Sequence, residues 1–203
     1  TDNADLGATA LDSEPVVSQA FVAPSGDLLA DDVAPSSATV DAVDVDGFDR
    51  ALYIGRRDLE TTIEDEQPAG HERFYVVSLD RKTVVYKGLL KGDQVADYYP
   101  DLTDDRMRTT FAMVHARFST NTLGAWHLAH PYRGIIHNGE FNTIQGNINW
   151  MRARETDLES DRLGADGLEA IEPVINDPEQ SDTASVDNAL ELLTAGGRDL
   201  PHA

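Results

Sequence analysis

The side chains that could do chemistry are concentrated between residues 115 and 143. Three polar segments lie there: residues 115–122 (HARFSTNT), 126–131 (WHLAHP) and 137–143 (HNGEFNT). Residues 111–117 and 134–137 are short apolar runs that end in polar residues of two of these segments, so we expect those polar side chains to lie at the ends of strands, where functional residues often occur. This stretch is the candidate functional region of the chain.

Each segment also has a structural interpretation. Four histidines fall within 23 positions, but the chain has no cysteine, no HExxH spacing and no acid cluster beside them, which disfavours a metal site. An Asn-Gly pair such as Asn138-Gly139 is by itself typical of a hairpin turn, because both residues tolerate positive φ. An isolated arginine at the end of a strand is usually a surface cation. No single segment therefore identifies a function.

The charge of the chain excludes several classes of partner. The formal net charge is −21, from 37 acidic and 16 basic residues. Nucleic acids and anionic membranes both require a basic face, so neither is expected as a partner. The acids are 25 Asp and 12 Glu, and the bases are 13 Arg and 3 Lys. Dense short carboxylates with few lysines suit a protein dissolved in concentrated salt, which predicts a halophilic source.

Length and hydropathy predict one soluble domain. With 203 residues, 40% of them hydrophobic, the chain can build one buried core. It has no apolar run near the roughly 20 residues that cross a bilayer, and no basic and then apolar segment opens it, so we expect a cytoplasmic protein. The absence of cysteine excludes disulfides, thiolate metal sites and a cysteine nucleophile within these 203 residues.

The first half of the chain predicts a loop and a helix. Residues 23–46 are rich in Ala, Asp, Ser and Pro and contain no aromatic residue, which predicts an acidic loop. Residues 47–65 then carry one apolar stripe at helical spacing, with the arginines and glutamates mostly on other faces. The stripe, which we expect to pack on the core, consists of Phe48, Leu52, Leu59 and Ile63.

Strands and two more helices are predicted downstream. Residues 73–79 and 82–88 are rich in β-branched and aromatic residues and flank Asp80-Arg81, which predicts an antiparallel hairpin. The runs 111–117 and 134–137 predict further short strands. A helix is expected from an Asn142 N-cap to about residue 155. Another is expected over 182–195, stopped by Gly196-Gly197. Strands and helices occur in blocks, so the predicted class is α+β with a mainly antiparallel sheet.

The order and wording of five segments resemble a known family. They are FYVVSLDRKTVVYKGLL, YYPDL, VHARFSTNT, WHLAHPYRGIIHNGEFNTIQGNINWMRARE and SDTASVDNALELL. Together they are very similar to the class II glutamine amidotransferase domain of glutamate synthase, and residues 1–22 resemble the segment that precedes them. Residues 1–203 thus resemble part of that domain, with the acidic loop 23–46 as a departure. The resemblance implies an Ntn-hydrolase-like four-layer αββα sandwich of antiparallel sheets, incomplete at both ends.

The resemblance also implies roles in holding glutamine. Arg117 would clamp the α-carboxylate, since a guanidinium fork matches a carboxylate. Thr120 would add a hydroxyl contact. Asp182 would accept the α-ammonium, although N-capping of its helix is a competing role. Asn138 and Gly139 would form the oxyanion hole, the first through its side-chain amide and the second through its backbone N–H. Glu140 would contact the substrate or brace the loop.

The neighbouring residues of the motifs are expected to have supporting roles. Trp126 and His127 would belong to a loop that covers the site, and His115 and His137 would be structural or would support the residues that contact substrate. The family's nucleophile is a cysteine at the mature N-terminus, and no cysteine exists here. Thr1 is not expected to replace it, because this segment lies far downstream of the nucleophile in the family.

Two explanations of the missing cysteine remain open. The first is that the chain is an excerpt or a split-gene product, whose remaining domains or partner chain supply the cysteine; both ends look cut. The second is a non-catalytic module that binds glutamine or stabilises a complex. A third interpretation, the glutaminase domain of another class II amidotransferase, fits the motif wording less well. The resemblance implies no cofactor in this chain, with FMN and an iron–sulfur cluster in the rest of a glutamate synthase that converts 2-oxoglutarate to glutamate.

Overall fold

The structure, a computed structural model, describes residues 18–22, 44–116, 125–176 and 180–203. In chain order its strands and helices are β1 (Ser18–Val22), α1 (Val45–Glu66), β2 (Thr83–Tyr86), α2 (Val95–Tyr98), β3 (Phe111–His115), α3 (Ile144–Glu155), α4 (Gly164–Ile171) and α5 (Asp182–Ala195). Single 3-10 turns occupy His71–Arg73, Gly92–Gln94, Pro100–Thr103, Trp126–Leu128 and Leu200–His202. These elements confirm the α+β class. None of the described helices is long and apolar enough to cross a membrane.

The strands form one antiparallel sheet in the part of the chain that is described. Its order is β2-β1-β3, and the central strand β1 pairs Phe21 with Val84 on one side and with Ala112 on the other. The antiparallel sheet was predicted, but β1 was not. The strand predicted over 111–117 is confirmed in β3, whereas residues 134–137 form no strand.

The predicted hairpin of residues 73–79 with 82–88 is wrong. The chain does reverse at Asp80, whose Oδ1 accepts a hydrogen bond from Thr83 N at 2.9 Å. Residues 74–79 lie outside the sheet, and there Ser78 Oγ accepts from Val85 N at 3.1 Å. Strand β2 instead finds its backbone partner in β1, far away in sequence. The local sequence predicted the chain reversal at Asp80, but the strand that pairs with β2 depends on tertiary contacts, which local sequence does not show.

Helix α1 lies where it was predicted but packs with a different face. It begins after Asp44, whose Oδ1 accepts from Gly47 N at 2.9 Å, so the predicted loop 23–46 extends slightly too far. Phe48 and Leu59 of the expected apolar stripe are 50% and 45% exposed. The buried face carries Arg56 and Arg57 instead, because polar groups of other elements satisfy both guanidinium groups.

The core lies between four helices. Its buried members come from α1, α3, α4, the residues that flank α4, and α5: Tyr53, Ile148, Leu163, Leu168, Ile171, Val174, Ile175 and Leu192. Helix α4, which the sequence analysis did not predict, approaches α1 so closely that a Cβ on Gly167 would lie 2.9 Å from Ile54 Cδ1. Arg57 donates to Ile171 O at 3.0 Å and Pro173 O at 2.6 Å, which satisfies carbonyls at the end of α4.

Helices α3 and α5 flank the candidate site. The helix predicted from an Asn142 cap exists as α3, but its N-cap is Thr143, with φ 60°, and no side chain caps it. Helix α5 has the predicted bounds. Its N-cap is Ser181, whose Oγ accepts from Ala184 N at 3.1 Å. It ends in a Schellman motif, in which Arg198 N donates to Leu193 O and Gly197 has φ 101°. Because both of its ends are capped, α5 is a defined support for the polar side chains at the candidate site.

Candidate active site

Helix α5 contacts the HNGEF segment through Asp182. The Oδ2 atom of Asp182 accepts a hydrogen bond from Phe141 N at 2.8 Å. Because Ser181 caps the helix, the competing N-cap role proposed for Asp182 is wrong, and its carboxylate faces the loop instead. Two of the predicted motifs, 41 residues apart in sequence, therefore meet in space.

The loop carrying Asn138 and Gly139 is not a hairpin turn. A type I′ turn requires positive φ at both central residues, and neither residue has it. Two aromatic rings of the loop stack on each other, with the centroids of His137 and Phe141 4.7 Å apart. A Cβ on Gly139 would lie 2.9 Å from His137 Cε1, so close approach to this imidazole favours glycine here. Asn138, Gly139 and Glu140 are exposed.

The other end of this loop is held by Asp187, also on α5. Its Oδ1 accepts from Gly134 N at 2.8 Å and its Oδ2 from Arg133 N at 3.1 Å. The Asp187 side chain is fully buried. Asp187 was not predicted as a functional residue, because α5 also carries Glu191 and several uncharged polar residues, so the charge of Asp187 does not stand out in the sequence.

A buried, charge-balanced cluster surrounds Asp187. It contains three arginines and three acids: Arg56, Arg57, Arg133, Glu60, Asp187 and Glu191. Its shortest contacts join Arg56 to Glu191 at 2.7 Å and both Arg56 and Arg133 to Glu60 at 2.8 Å. Burial raises the pKa of Glu191, and the neighbouring arginines oppose that shift. The cluster ties α1, α5 and the start of the loop together.

The turn at Trp126 and His127 is anchored by a buried lysine. Lys87 donates from Nζ to His127 O at 2.8 Å, and the Nζ lies 4.2 Å from the ring centroid of Tyr75 and 4.5 Å from that of Tyr132. Burial, with a smaller contribution from Arg133, lowers the pKa of Lys87 to about 7. Trp126 packs edge-on against Tyr75. These contacts fix the turn that was expected to cover the site.

The histidines of this region make ring contacts. The imidazoles of His115 and His130 lie 4.6 Å apart, and burial lowers the pKa of His130 to about 4. Within the described ranges, no group of three or more His, Asp or Glu side chains is arranged to hold a metal ion.

The structure thus brings together part of the predicted site. Asp182 lies beside the segment that contains Asn138, Gly139 and Glu140. Arg117 and Thr120 lie outside the described residues, so their positions stay predictions, as does the acidic loop over residues 23–43.

Comparison with known proteins identifies the family. Residues 1–203 match the glutamine amidotransferases class-II family, and the chain belongs to it. The chain is 42% identical over 197 residues, 97% of its length, to the glutamate synthase (NADPH) large chain of Bacillus subtilis strain 168. It is 41% identical over all 203 residues to the glutamate synthase (NADH) of Saccharomyces cerevisiae. It is also 46% identical over 154 residues, 76% of its length, to the ferredoxin-dependent glutamate synthase 2 of Arabidopsis thaliana. The chain spans 12%, 9% and 9% of these three relatives, respectively.

Proposed function

We propose that this chain is the substrate-holding part of the glutaminase of a glutamate synthase. It would bind glutamine and stabilise the oxyanion formed at the amide carbon, while a cysteine outside these 203 residues attacks that carbon. Hydrolysis would give glutamate and ammonia, and the ammonia would serve glutamate synthesis from 2-oxoglutarate. The carrying observation is the hydrogen bond from Phe141 N to Asp182, which joins the proposed ammonium site to the proposed oxyanion loop.

The proposed roles fit the groups that glutamine presents. Asp182 would accept the α-ammonium; a carboxylate offers about four acceptor sites, so the bond from Phe141 N leaves capacity for a second donor. Asn138 and Gly139 would donate to the oxyanion, and their exposure leaves them open to a substrate. Arg117 would clamp the α-carboxylate, Thr120 would donate a hydroxyl, and Glu140 would contact substrate or brace the loop.

The cofactors are proposed to lie elsewhere in the longer protein. This chain has no cysteine, so it cannot supply the thiolates that hold an iron–sulfur cluster. Relatives named for NADPH, NADH and ferredoxin match the chain about equally well, which supports an electron-donor site outside this region. The remaining domains, in one chain or a split-gene partner, would carry FMN and the cluster. A cytoplasmic location stays a prediction.

The finer fold is also a proposal. Family membership supports a four-layer αββα sandwich in which the sheet of β1, β2 and β3 is one of two antiparallel sheets. The helical core of α1, α3, α4 and α5 is consistent with an outer helical layer.

The test is glutamine hydrolysis by this chain expressed together with its upstream coding sequence, which we expect to open with Cys-Gly. Arg117→Ala should raise KM strongly, and Arg117→Lys should recover only part of the loss, because a lysine keeps the charge but not the fork. Arg152→Ala, at an exposed position of α3, is the matched control and should behave like the parent. An unchanged KM in Arg117→Ala would contradict the proposed clamp.

The alternative functions give different results. A non-catalytic glutamine-binding module would bind glutamine without turnover and would have no upstream cysteine. The isolated chain should show no glutaminase activity; turnover that disappears in Thr1→Ala would identify Thr1 as the nucleophile and overturn the proposed need for an outside cysteine.

A further inference from the structure

Helix α5 holds both ends of the segment that carries the proposed oxyanion pair. At the start of the segment, Asp187 accepts hydrogen bonds from Arg133 N and Gly134 N. At its end, Asp182 accepts one from Phe141 N. Asn138 and Gly139 lie between these two anchors, in a loop without regular backbone pairing. The position of the loop is therefore set by two carboxylates on one rigid helix.

The contacts of Asp187 are suited to binding backbone N–H groups and not to contacting substrate. Its side chain has 0% exposure. Each of its oxygens accepts from a different backbone N–H, so a group with one acceptor could not replace it. The guanidinium of Arg133 lies 3.8 Å from Oδ2 and balances its charge. Arg133 is itself fixed by Glu60 Oε1 at 2.8 Å and Val76 O at 2.6 Å.

We propose that Asp187 is a positioning residue that sets the placement of the Asn138–Gly139 oxyanion pair relative to Asp182. This inference rests on the proposed glutaminase function. Because α5 carries both Asp182 and Asp187, it fixes the separation between the site for the substrate ammonium and the site for the oxyanion. Losing the Asp187 anchor should therefore impair the transition state more than ground-state binding of glutamine.

The test compares two charge-neutralising substitutions on the same helix, in the full-length protein. Asp187→Asn removes one of the two acceptors that hold the loop. Glu191→Gln, one turn further along α5, also removes an acid of the cluster. The Glu191 side chain is 20% exposed, and among the described residues its ion pairs are with the side chains of Arg56 and Arg133. We expect Asp187→Asn to lower kcat by about 10- to 100-fold, the loss typical of a misplaced reacting group, with KM changed by less than about threefold. Glu191→Gln should keep kcat near that of the parent.

A second measurement separates oxyanion placement from general damage. The catalytic thiol adds to an aldehyde analogue of glutamine: a C–S bond forms at the carbonyl carbon, the C=O π bond breaks, and its electron pair moves to the oxygen. The thiol proton passes to the α-amine of the catalytic cysteine, and the negatively charged oxygen occupies the oxyanion hole. The inhibition constant of the aldehyde should rise in Asp187→Asn in parallel with the fall in kcat. The inhibition constant of glutamate, which forms no such adduct, should stay close to that of the parent.

A further variant covers the case in which Asp187→Asn does not fold. Gly134→Ala leaves every charge in place but puts a Cβ 3.2 Å from Leu190 Cδ2 of α5, which should push apart the helix and the residue whose N–H donates to Asp187. It should lower kcat selectively and speed amide hydrogen exchange in residues 134–141, measured by mass spectrometry.

The outcomes distinguish this inference from the function it rests on. A parent protein without glutaminase activity refutes the proposed function. An active parent in which Asp187→Asn loses no more kcat than Glu191→Gln, or in which aldehyde and glutamate inhibition change together, refutes the role of Asp187 alone.

Discussion

Lys87 is one of only three lysines in the chain, and it is buried between the rings of Tyr75 and Tyr132. Burial lowers its pKa to about 7, whereas a lysine in the unfolded chain titrates near 10.5. Between these values the unfolded chain binds a proton that the folded chain does not. Stability should therefore rise as pH increases through this window, by about 1.4 kcal/mol per pH unit where the difference is one full proton.

This pH dependence can be measured by urea unfolding in constant molar KCl at pH 7.5 and 9.5. The free energy of unfolding of the parent should rise by about 2 kcal/mol more than that of Lys87→Met, which keeps the side-chain volume but does not titrate. Lys91→Met, at an exposed lysine, is the control and should follow the parent. Equal pH dependence in the parent and Lys87→Met would contradict the lowered pKa.

Asn138 gives a direct test of the oxyanion hole. Asn138→Ala in the full-length enzyme should lower kcat for glutamine hydrolysis by about 100- to 1000-fold, the typical cost of one oxyanion donor. Because Asn138 is exposed, the substitution should leave the unfolding temperature near that of the parent. The matched control, Asn149→Ala on the exposed side of α3, should retain parental kcat. Comparable losses in both variants would argue against an oxyanion role for Asn138.

At the residue scale, motif wording selected residues with a proposed role at the substrate, but it did not select the residue that holds their loop. Asp182 and the HNGEF segment were both selected, and the structure places them in contact. Asp187 was not selected, because its partners are backbone N–H groups 53 and 54 positions away. A sequence motif gives the order of side-chain types, but it does not show which backbone N–H groups donate to a buried carboxylate.

At the element scale, periodicity predicted where helices lie better than what they pack against. Helix α1 is within two residues of its predicted bounds, yet Arg56 and Arg57 are buried while Phe48 and Leu59 are exposed. A hydropathy pattern predicts that arginines are exposed. It does not identify positions where acids and carbonyls of other elements can pair with a buried guanidinium group. The hairpin prediction failed for a related reason: local patterns do not show contacts with distant residues, and the partner of β2 is the distant β1.

The end of α5 is an element whose chemistry the sequence did predict, and it can be tested. Gly197→Ala should lower the free energy of unfolding by about 1–2 kcal/mol or more, because φ is 101° there and a Cβ would lie 2.6 Å from Arg162 Cζ. At Gly55, within α1, no side chain beyond its chain neighbours and no backbone of another element lies within 4 Å of the new Cβ, so Gly55→Ala should stabilise the chain by about 0.5–1 kcal/mol. Chemical denaturation of both variants checks this; a neutral Gly197→Ala would contradict the left-handed termination of α5.

At the scale of the whole molecule, charge is divided into two populations. Inside, three arginines and three acids balance within one buried cluster that ties α1 to α5. The net charge of −21 must therefore reside in the rest of the chain, where carboxylates repel one another. Salt screens exposed charges over about 10 Å at 0.1 M and about 3 Å at 1 M, but it acts much less on a buried cluster. Added salt should therefore weaken the repulsion between exposed carboxylates while leaving the ion pairs of the buried cluster intact.

The prediction is that the free energy of unfolding rises between 0.1 M and 2 M KCl, measured by urea denaturation. Chloride is preferred to sulfate, which would strengthen apolar burial by itself. Replacing four exposed acids, Asp58, Asp65, Asp97 and Asp105, by Asn should flatten this dependence, because fewer charges remain to be screened. The same four positions changed to Glu keep the charge and should restore the parental slope. Equal stability of the parent at both salt concentrations would refute adaptation to concentrated salt, and equal slopes for the Asn and Glu variants would show that charge screening is not its cause.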